Sequence, residues 1–112
     1  MIMNFLKAYN DFKESLNGTD SYVVLERNMT LLINEDQRNA AIYFTIRRFA
    51  HTYVLLYADQ AVTTEFADDV KYEMQRYLNI TLQVVNNEYS PERSWVALNK
   101  IIIDYEHSKK IF

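Results

Sequence analysis

Glycine and proline are almost absent from this chain, with Gly18 and Pro91 the one residue of each kind among 112. All-β sandwiches and barrels turn roughly every 8–12 residues and use glycine and proline at those turns. Helix interiors, in contrast, disfavour both residues. Because 49% of the residues are hydrophobic, the chain can bury a core without a disulfide or a metal. The sequence therefore predicts a single all-α domain covering residues 1–112.

Hydrophobic residues recur at intervals of three and four along most of the chain, which is the pattern of amphipathic helices. The connections between these segments are short, and short connections favour antiparallel neighbours. We therefore expect a compact antiparallel bundle of about five helices. The predicted helices cover residues 3–17, 21–33, 35–57, 64–88 and 91–109.

Residues with helix-capping chemistry mark three of the predicted starts. Asn34 is followed three residues later by Gln37, which is the spacing of a capping box. Thr63 or Thr64 precedes acidic residues that suit the positive end of a helix. Ser90 stands directly before the proline, and proline is favoured in the first helical turn. These signals predict the starts of the third, fourth and fifth helices.

The second segment is compatible with two structures. Its apolar residues fit one helix that is capped by a residue of 19–21. They also fit two short strands, 22–25 and 29–33, with a turn between them. No glycine occupies that turn, which favours the helix. Both alternatives stay open from the sequence alone.

Three residues define the expected interior of the last two helices. Tyr77 and Trp95 lie at the centres of apolar stripes, so we expect both side chains to be buried. Glu73 lies on the same face as Tyr77, and a buried carboxylate must be paired or protonated. Glu73 is therefore either an acid with an altered pKa or the partner of an arginine or tyrosine at the rim of the core.

Residues that could carry chemistry are sparse. The chain has no cysteine, which excludes disulfides, cysteine-ligated metals and thiol catalysis. Asp104 and His107 could share a helix face, but a di-iron bundle needs two such pairs and further acids. No glycine-rich loop is present to bind phosphate. We therefore expect a protein that is not an enzyme and that needs no metal or cofactor.

Arg47, Arg48 and His51 lie on one predicted helix, an arrangement similar to the ribonuclease motif of the HEPN family. Three residues separate Arg47 from His51 and two separate Arg48 from it, which is closer than that motif allows. The sequence therefore does not predict a ribonuclease. A row opposite the main apolar stripe of this helix consists of Phe44, Arg48, His51 and Leu55. This row is either covered by another helix or exposed as a mixed patch.

The charge balance is 12 basic against 15 acidic residues, with a net charge of −3. Nucleic-acid binders normally show a basic field, so we expect a protein partner, and preferably a basic one. Charged and polar residues interrupt the first 16 positions, which is typical of neither a secretion signal nor a membrane span. We expect a cytoplasmic protein with no nucleic-acid or membrane partner.

The most distinctive surface lies around the start of the fourth helix, opposite its apolar stripe. We name it the acidic strip, and it consists of Asp59, Glu65, Asp68, Asp69, Tyr72 and Arg76. Tyrosine and arginine are favoured anchors in protein interfaces, and acids around them steer a basic partner. We predict that the acidic strip binds a partner protein. The alternative is a solvated face whose acids merely suit the helix dipole.

The chain resembles, in general type, the small helical immunity proteins of bacteriocin and contact-dependent toxin systems, which are short, acidic and free of cysteine. No residue motif carries this resemblance. It implies a bacterial, non-enzymatic protein that neutralises a nuclease-like toxin by direct binding. Two alternatives stay open. One is a phage-encoded inhibitor or adaptor of a host enzyme, and the other is a helical subunit that self-associates through Phe44 and Leu55 or through Val96 and Ile103.

Overall fold

The computed structural model describes residues 3–16 and 18–108, and these residues form five α-helices. The helices are α1 (Phe5–Glu14), α2 (Thr19–Glu35), α3 (Ala40–Tyr57), α4 (Thr64–Val85) and α5 (Pro91–Glu106), with a short 3-10 helix at Gln37–Asn39. No β-strand occurs in the described ranges, so the predicted all-α bundle is confirmed. The predicted helix ends at Asn17 and Lys109 lie outside the described residues.

The most extensive packing in the bundle joins α2 to α3. Tyr22 of α2 stacks on Tyr53 of α3 with the ring centroids 4.0 Å apart, and Phe12 of α1 meets Tyr22 edge-on at 5.1 Å. The apolar residues that α2 buries are Tyr22, Leu25, Met29 and Leu32. A spacing of three and four brings side chains to one face only in a helix. The alternative of two short strands in this segment is therefore wrong.

Asp36, and not the predicted capping box, organises the turn between α2 and α3. Asn34 lies inside α2, where its side-chain amide donates a hydrogen bond of 3.1 Å to a backbone carbonyl one turn earlier. The Asp36 carboxylate accepts hydrogen bonds from Asn39 Nδ2 at 2.8 Å and from the Tyr43 hydroxyl at 2.6 Å. Hydrogen bonds to a charged acceptor are stronger than those to a neutral amide. The prediction of a helix that starts at residue 35 is therefore wrong.

The predicted starts of the last two helices are confirmed. The Thr63 hydroxyl caps α4 by accepting a hydrogen bond from the N–H of Phe66 at 3.0 Å. The Ser90 hydroxyl caps α5 by accepting one from the N–H of Arg93 at 3.2 Å. Pro91 occupies the first turn of α5, where its missing N–H removes no helical hydrogen bond.

The other predicted helix boundaries are less accurate than these two starts. α1 begins after Asn4, which caps it by accepting from the N–H of Lys7 at 2.9 Å, and not at residue 3. α4 ends at Val85 and not at residue 88, because Asn87 adopts the left-handed region with φ of 60° and a helix cannot continue through it. α2 is longer than predicted at both ends, and α5 ends earlier than predicted.

Aromatic rings link the last three helices in the core. Tyr77 of α4 is fully buried, as predicted. Phe49 of α3 lies 5.6 Å from the Tyr77 ring and stacks on Tyr105 of α5 at 3.7 Å between centroids. Phe49 therefore contacts both neighbouring helices and positions α5 against the rest of the bundle.

Trp95 is 69% exposed, so the prediction that this residue is buried is wrong. α5 buries Ile101, and with 3.6 residues per turn the Trp95 side chain points about 120° away from it. Leu98 and Tyr105 lie partly buried on the Ile101 side. The apolar stripe of α5 is therefore wider than the surface that α3 and α4 cover, and Trp95 lies on the uncovered part.

The described residues form a flat body whose principal extents are 41 × 34 × 20 Å. The shortest extent is about two helix diameters, so a helix in this body keeps part of its surface toward solvent. None of the helices in ranges 3–16 and 18–108 combines the length and the hydropathy that a membrane crossing requires.

Two aromatic truncations test this arrangement of the core. Phe12 is 1% exposed, so Phe12→Ala should lower the free energy of unfolding by about 3–5 kcal/mol. Trp95→Ala should lower it by less than about 1 kcal/mol in dilute solution, because an exposed side chain loses few contacts. Urea unfolding followed by circular dichroism measures both values. Equal losses from the two variants would contradict the placement of Trp95.

Candidate functional site

Helical periodicity places most of the acidic strip on the outer face of α4. The inner face buries Val70, Met74 and Tyr77, and the side chains on the opposite side therefore point to solvent. Asp59 in the α3–α4 connection is exposed, and so are four members of the strip on the helix, namely Glu65, Asp68, Asp69 and Tyr72. These five members of the strip are thus accessible at the surface.

Tyr72 is the most exposed large hydrophobic residue on α4, with 71% of its surface accessible. It borders a shallow depression between α1 and α4 that is also lined by Tyr9, Gln75, Arg76 and Asn79. An aromatic ring beside a polar depression can make apolar contact through its face and a hydrogen bond through its hydroxyl. Tyr72 therefore has the chemistry and the exposure of an anchor residue.

Lys71 ties the acidic half of α4 to the end of α1. Its ammonium donates a hydrogen bond to the backbone carbonyl of Ser15 and lies 5.8 Å from the centroid of the Phe12 ring. Burial lowers the pKa of Lys71, and the charge of Asp68 acts in the opposite direction. The backbone beneath the strip is consequently held by a charged group that is 9% exposed. The charge of Asp68 therefore interacts with Lys71 as well as with solvent.

Arg76, the last member of the strip, is bound within the protein. Its Nε donates to Glu73 at 2.9 Å, and its Nη2 donates to Asp104 of α5 at 3.1 Å. The guanidinium also lies 5.2 Å from the centroid of the Tyr77 ring. Arg76 therefore joins α4 to α5, and less of its donor capacity is available to a partner than the sequence suggested. Glu73 is the carboxylate paired with an arginine at the rim of the core, one of the two predicted alternatives.

Asp104 faces this network and not the histidine suggested by the sequence. Burial raises its pKa, but hydrogen bonds from Arg76 and from Lys100 at 3.3 Å outweigh burial, so the pKa of Asp104 lies below its ordinary value. His107 lies exposed at the end of α5. Among the described residues, no group of three or more histidine and carboxylate side chains is placed to hold a metal ion.

On α3, none of the other described helices covers the apolar residues of the row that consists of Phe44, Arg48, His51 and Leu55. Phe44 is 50% exposed and Leu55 is 71% exposed. Arg47 lies over the Phe44 ring at 5.1 Å, and His51 Nδ1 lies 2.8 Å from the Glu26 carboxylate of α2. Of the two predicted alternatives, the structure supports the mixed patch. The contact with Glu26 directs His51 toward α2.

The exposed apolar face of α5 comprises Trp95, Val96, Ile102 and Ile103, of which the sequence indicated only Val96 and Ile103, as one of the alternative self-association surfaces. Val96 and Ile103 are apolar residues off the main stripe, and this was the signal available in the sequence. The exposure of Trp95 depends on how α5 is rotated against its neighbours, which periodicity does not specify.

Comparison of this chain with protein-family models, with curated proteins and with solved structures finds no match.

Arg76 and its two carboxylate partners, Glu73 and Asp104, form the Arg76 network. From this network we expect the stability of the fold to depend on pH. A carboxylate whose pKa is lower in the folded state adds stability above its unfolded pKa of about 4, and this stability is lost as the pH falls through the folded pKa. The free energy of unfolding should therefore decline below about pH 4, and the decline should be shallower in Asp104→Asn. Asp59→Asn, an exposed carboxylate outside the network, is the control. Urea titrations at several acidic pH values measure the effect, and identical profiles for wild type and Asp104→Asn would contradict it.

Proposed function

We propose that this chain is a non-enzymatic protein-binding module that acts in the bacterial cytoplasm as an immunity or antitoxin-type protein. In this proposal it neutralises a basic, nuclease-like toxin by covering a functional surface of the toxin. The acidic strip is the binding surface, and neither a metal nor a cofactor takes part.

The single observation that carries the proposal is the exposure of Tyr72 within a group of acids. An aromatic side chain that is 71% exposed leaves a large apolar area in water, and burial of such an area in a partner's pocket is favourable. Central aromatic residues surrounded by polar neighbours are typical energetic anchors of protein interfaces. Tyr72 would be that anchor.

The charges around Tyr72 support a basic partner. Glu65 and Asp69 are exposed on the same helix face, and Asp59 is exposed in the preceding connection. Acids at the rim of an interface raise the association rate with a positively charged surface and repel acidic proteins. A nuclease that binds a polyanion carries such a basic surface.

The backbone that presents these side chains is well supported. α4 is the longest of the described helices, with 22 residues, and it is attached to α1 through Lys71 and to α5 through Arg76. A surface that is already rigid loses little conformational entropy on binding. This favours a stable complex over a transient contact.

The proposal predicts opposite kinetic effects for two kinds of substitution. Glu65→Gln combined with Asp69→Asn should slow association and flatten its dependence on salt, because rim charges act mainly through steering. Tyr72→Ala should speed dissociation and weaken binding by about 2 kcal/mol or more, because it removes the anchor. Asp68 is left unchanged in this design because it also acts on Lys71.

The measurement needs matched baits and then purified partner. Wild type, Tyr72→Ala and the control Leu16→Ala, which truncates an exposed side chain in the α1–α2 connection, are immobilised and incubated with lysate from the source organism. Proteins that both wild type and Leu16→Ala retain are purified, and surface plasmon resonance at two salt concentrations gives their rates with wild type and with Tyr72→Ala. If a captured partner binds Tyr72→Ala as tightly as wild type, the acidic strip is not its binding site.

A further inference from the structure

The outer face of α5 is apolar, although it faces solvent. Trp95 is 69% exposed, Val96 64%, Ile102 48% and Ile103 55%. On a helix, residues seven apart lie on the same side, so Trp95 aligns with Ile102 and Val96 aligns with Ile103. These four side chains form two adjacent apolar rows on one face, and we name this the α5 face.

A groove extends the α5 face toward α3. Its floor includes Ala41, Ile42 and Thr45 of α3, its wall includes Trp95 and Ile102 of α5, and its cavity volume is about 100 Å³. The lining is almost entirely apolar, so the groove could accept an apolar side chain from another molecule.

The exposed apolar area of the α5 face is large enough for the apolar centre of a protein–protein interface. With ordinary side-chain areas, the four exposed fractions amount to roughly 450 Å², the size of the largest apolar patch on a typical monomer, which is often functional. A standard interface covers about a tenth of a small protein's surface, or about 700 Å² of the 7043 Å² here. An apolar centre of this size with the polar rim around it is what a modest but specific interface needs.

The order of residues along α5 makes the face complementary to itself. Trp95 and Val96 lie four and three residues before Asn99. Ile102 and Ile103 lie three and four residues after it. A two-fold axis that passes close to Asn99 would pair α5 with an antiparallel copy of itself. Trp95 of one copy would then face Ile102 of the other, and Val96 would face Ile103. Two-fold interfaces require this kind of self-complementary patch.

We propose that the α5 face binds the α5 face of a second copy of this chain, forming a two-fold symmetric dimer with the two Asn99 side chains at its centre. The large Trp95 ring of each copy packs across Ile102 of the other and against the groove beside it. The dimer is independent of the acidic strip and of the function proposed for that strip.

The charges at the ends of α5 set the salt dependence of this dimer. Glu92 and Glu106 lie exposed near the two ends of the helix, and in an antiparallel pair Glu92 of one copy approaches Glu106 of the other. These like charges repel, and salt screens the repulsion. Added salt should therefore tighten the dimer, whereas it should weaken the binding of a basic partner to the acidic strip.

The first test is sedimentation velocity over a range of protein concentrations. Wild type should show a concentration-dependent dimer that tightens between about 50 mM and about 500 mM NaCl. Trp95→Ala combined with Ile102→Ala should weaken the dimer at least tenfold, because each change acts twice in a symmetric interface. Leu16→Ala, which truncates a side chain that is 90% exposed in the α1–α2 connection, should leave it unchanged. Circular dichroism checks that every variant is folded.

The second test uses the absence of cysteine from the chain. Asn99→Cys supplies one thiol per copy at the proposed axis, where the two Cα atoms can come within the roughly 7 Å that a disulfide requires. Asn99→Cys should oxidise to a covalent dimer much faster than Asn10→Cys, which places the thiol at an exposed position of α1. A monomer at all concentrations would overturn the proposal, and so would a dimer that survives the double substitution and crosslinks equally through either cysteine.

Discussion

The packing of α2 against α3 is the constraint on which the rest of the bundle depends. The Tyr22 and Tyr53 rings stack at 4.0 Å, and Phe12 packs edge-on against this pair, which places α1. The hydroxyl of Tyr22 is buried without a hydrogen-bond partner among the described residues, and an unpaired buried hydroxyl costs about 1–3 kcal/mol. The packing of the Tyr22 ring must therefore offset the free-energy cost of its unpaired hydroxyl. Asp36 completes the hairpin by binding Asn39 and Tyr43 at its turn.

The last two helices are attached to this hairpin by fewer and more specific contacts. Phe49 of the hairpin contacts Tyr77 of α4 and stacks on Tyr105 of α5. Arg76 then joins α4 to Asp104 of α5. In a body only 20 Å thick, α4 and α5 each keep an outer face in water. Both candidate binding surfaces are a consequence of this flat architecture, because in so thin a body neighbouring helices do not cover α4 and α5 on every side.

The two surfaces differ in the physical force that each can use. The acidic strip combines one aromatic ring with charges, so a partner would be attracted over distance and held by Tyr72. The α5 face has an apolar centre and like charges at its ends, so its association would rely on burial of apolar area. Salt therefore affects association through these two surfaces in opposite directions.

The sequence by itself determined the all-α class, the starts of α4 and α5, the burial of Tyr77 and the outward orientation of most of the acidic strip. These features follow from local capping chemistry and from the angular spacing of residues along one helix. Only the tertiary structure decided that Trp95 is exposed, that Arg76 is bound to Asp104 and that Asp36 organises the α2–α3 turn. Periodicity specifies where side chains lie relative to one another on a helix. It does not specify how far that helix is rotated against its neighbours, and the side chains at the edges of a stripe are buried or exposed according to that rotation.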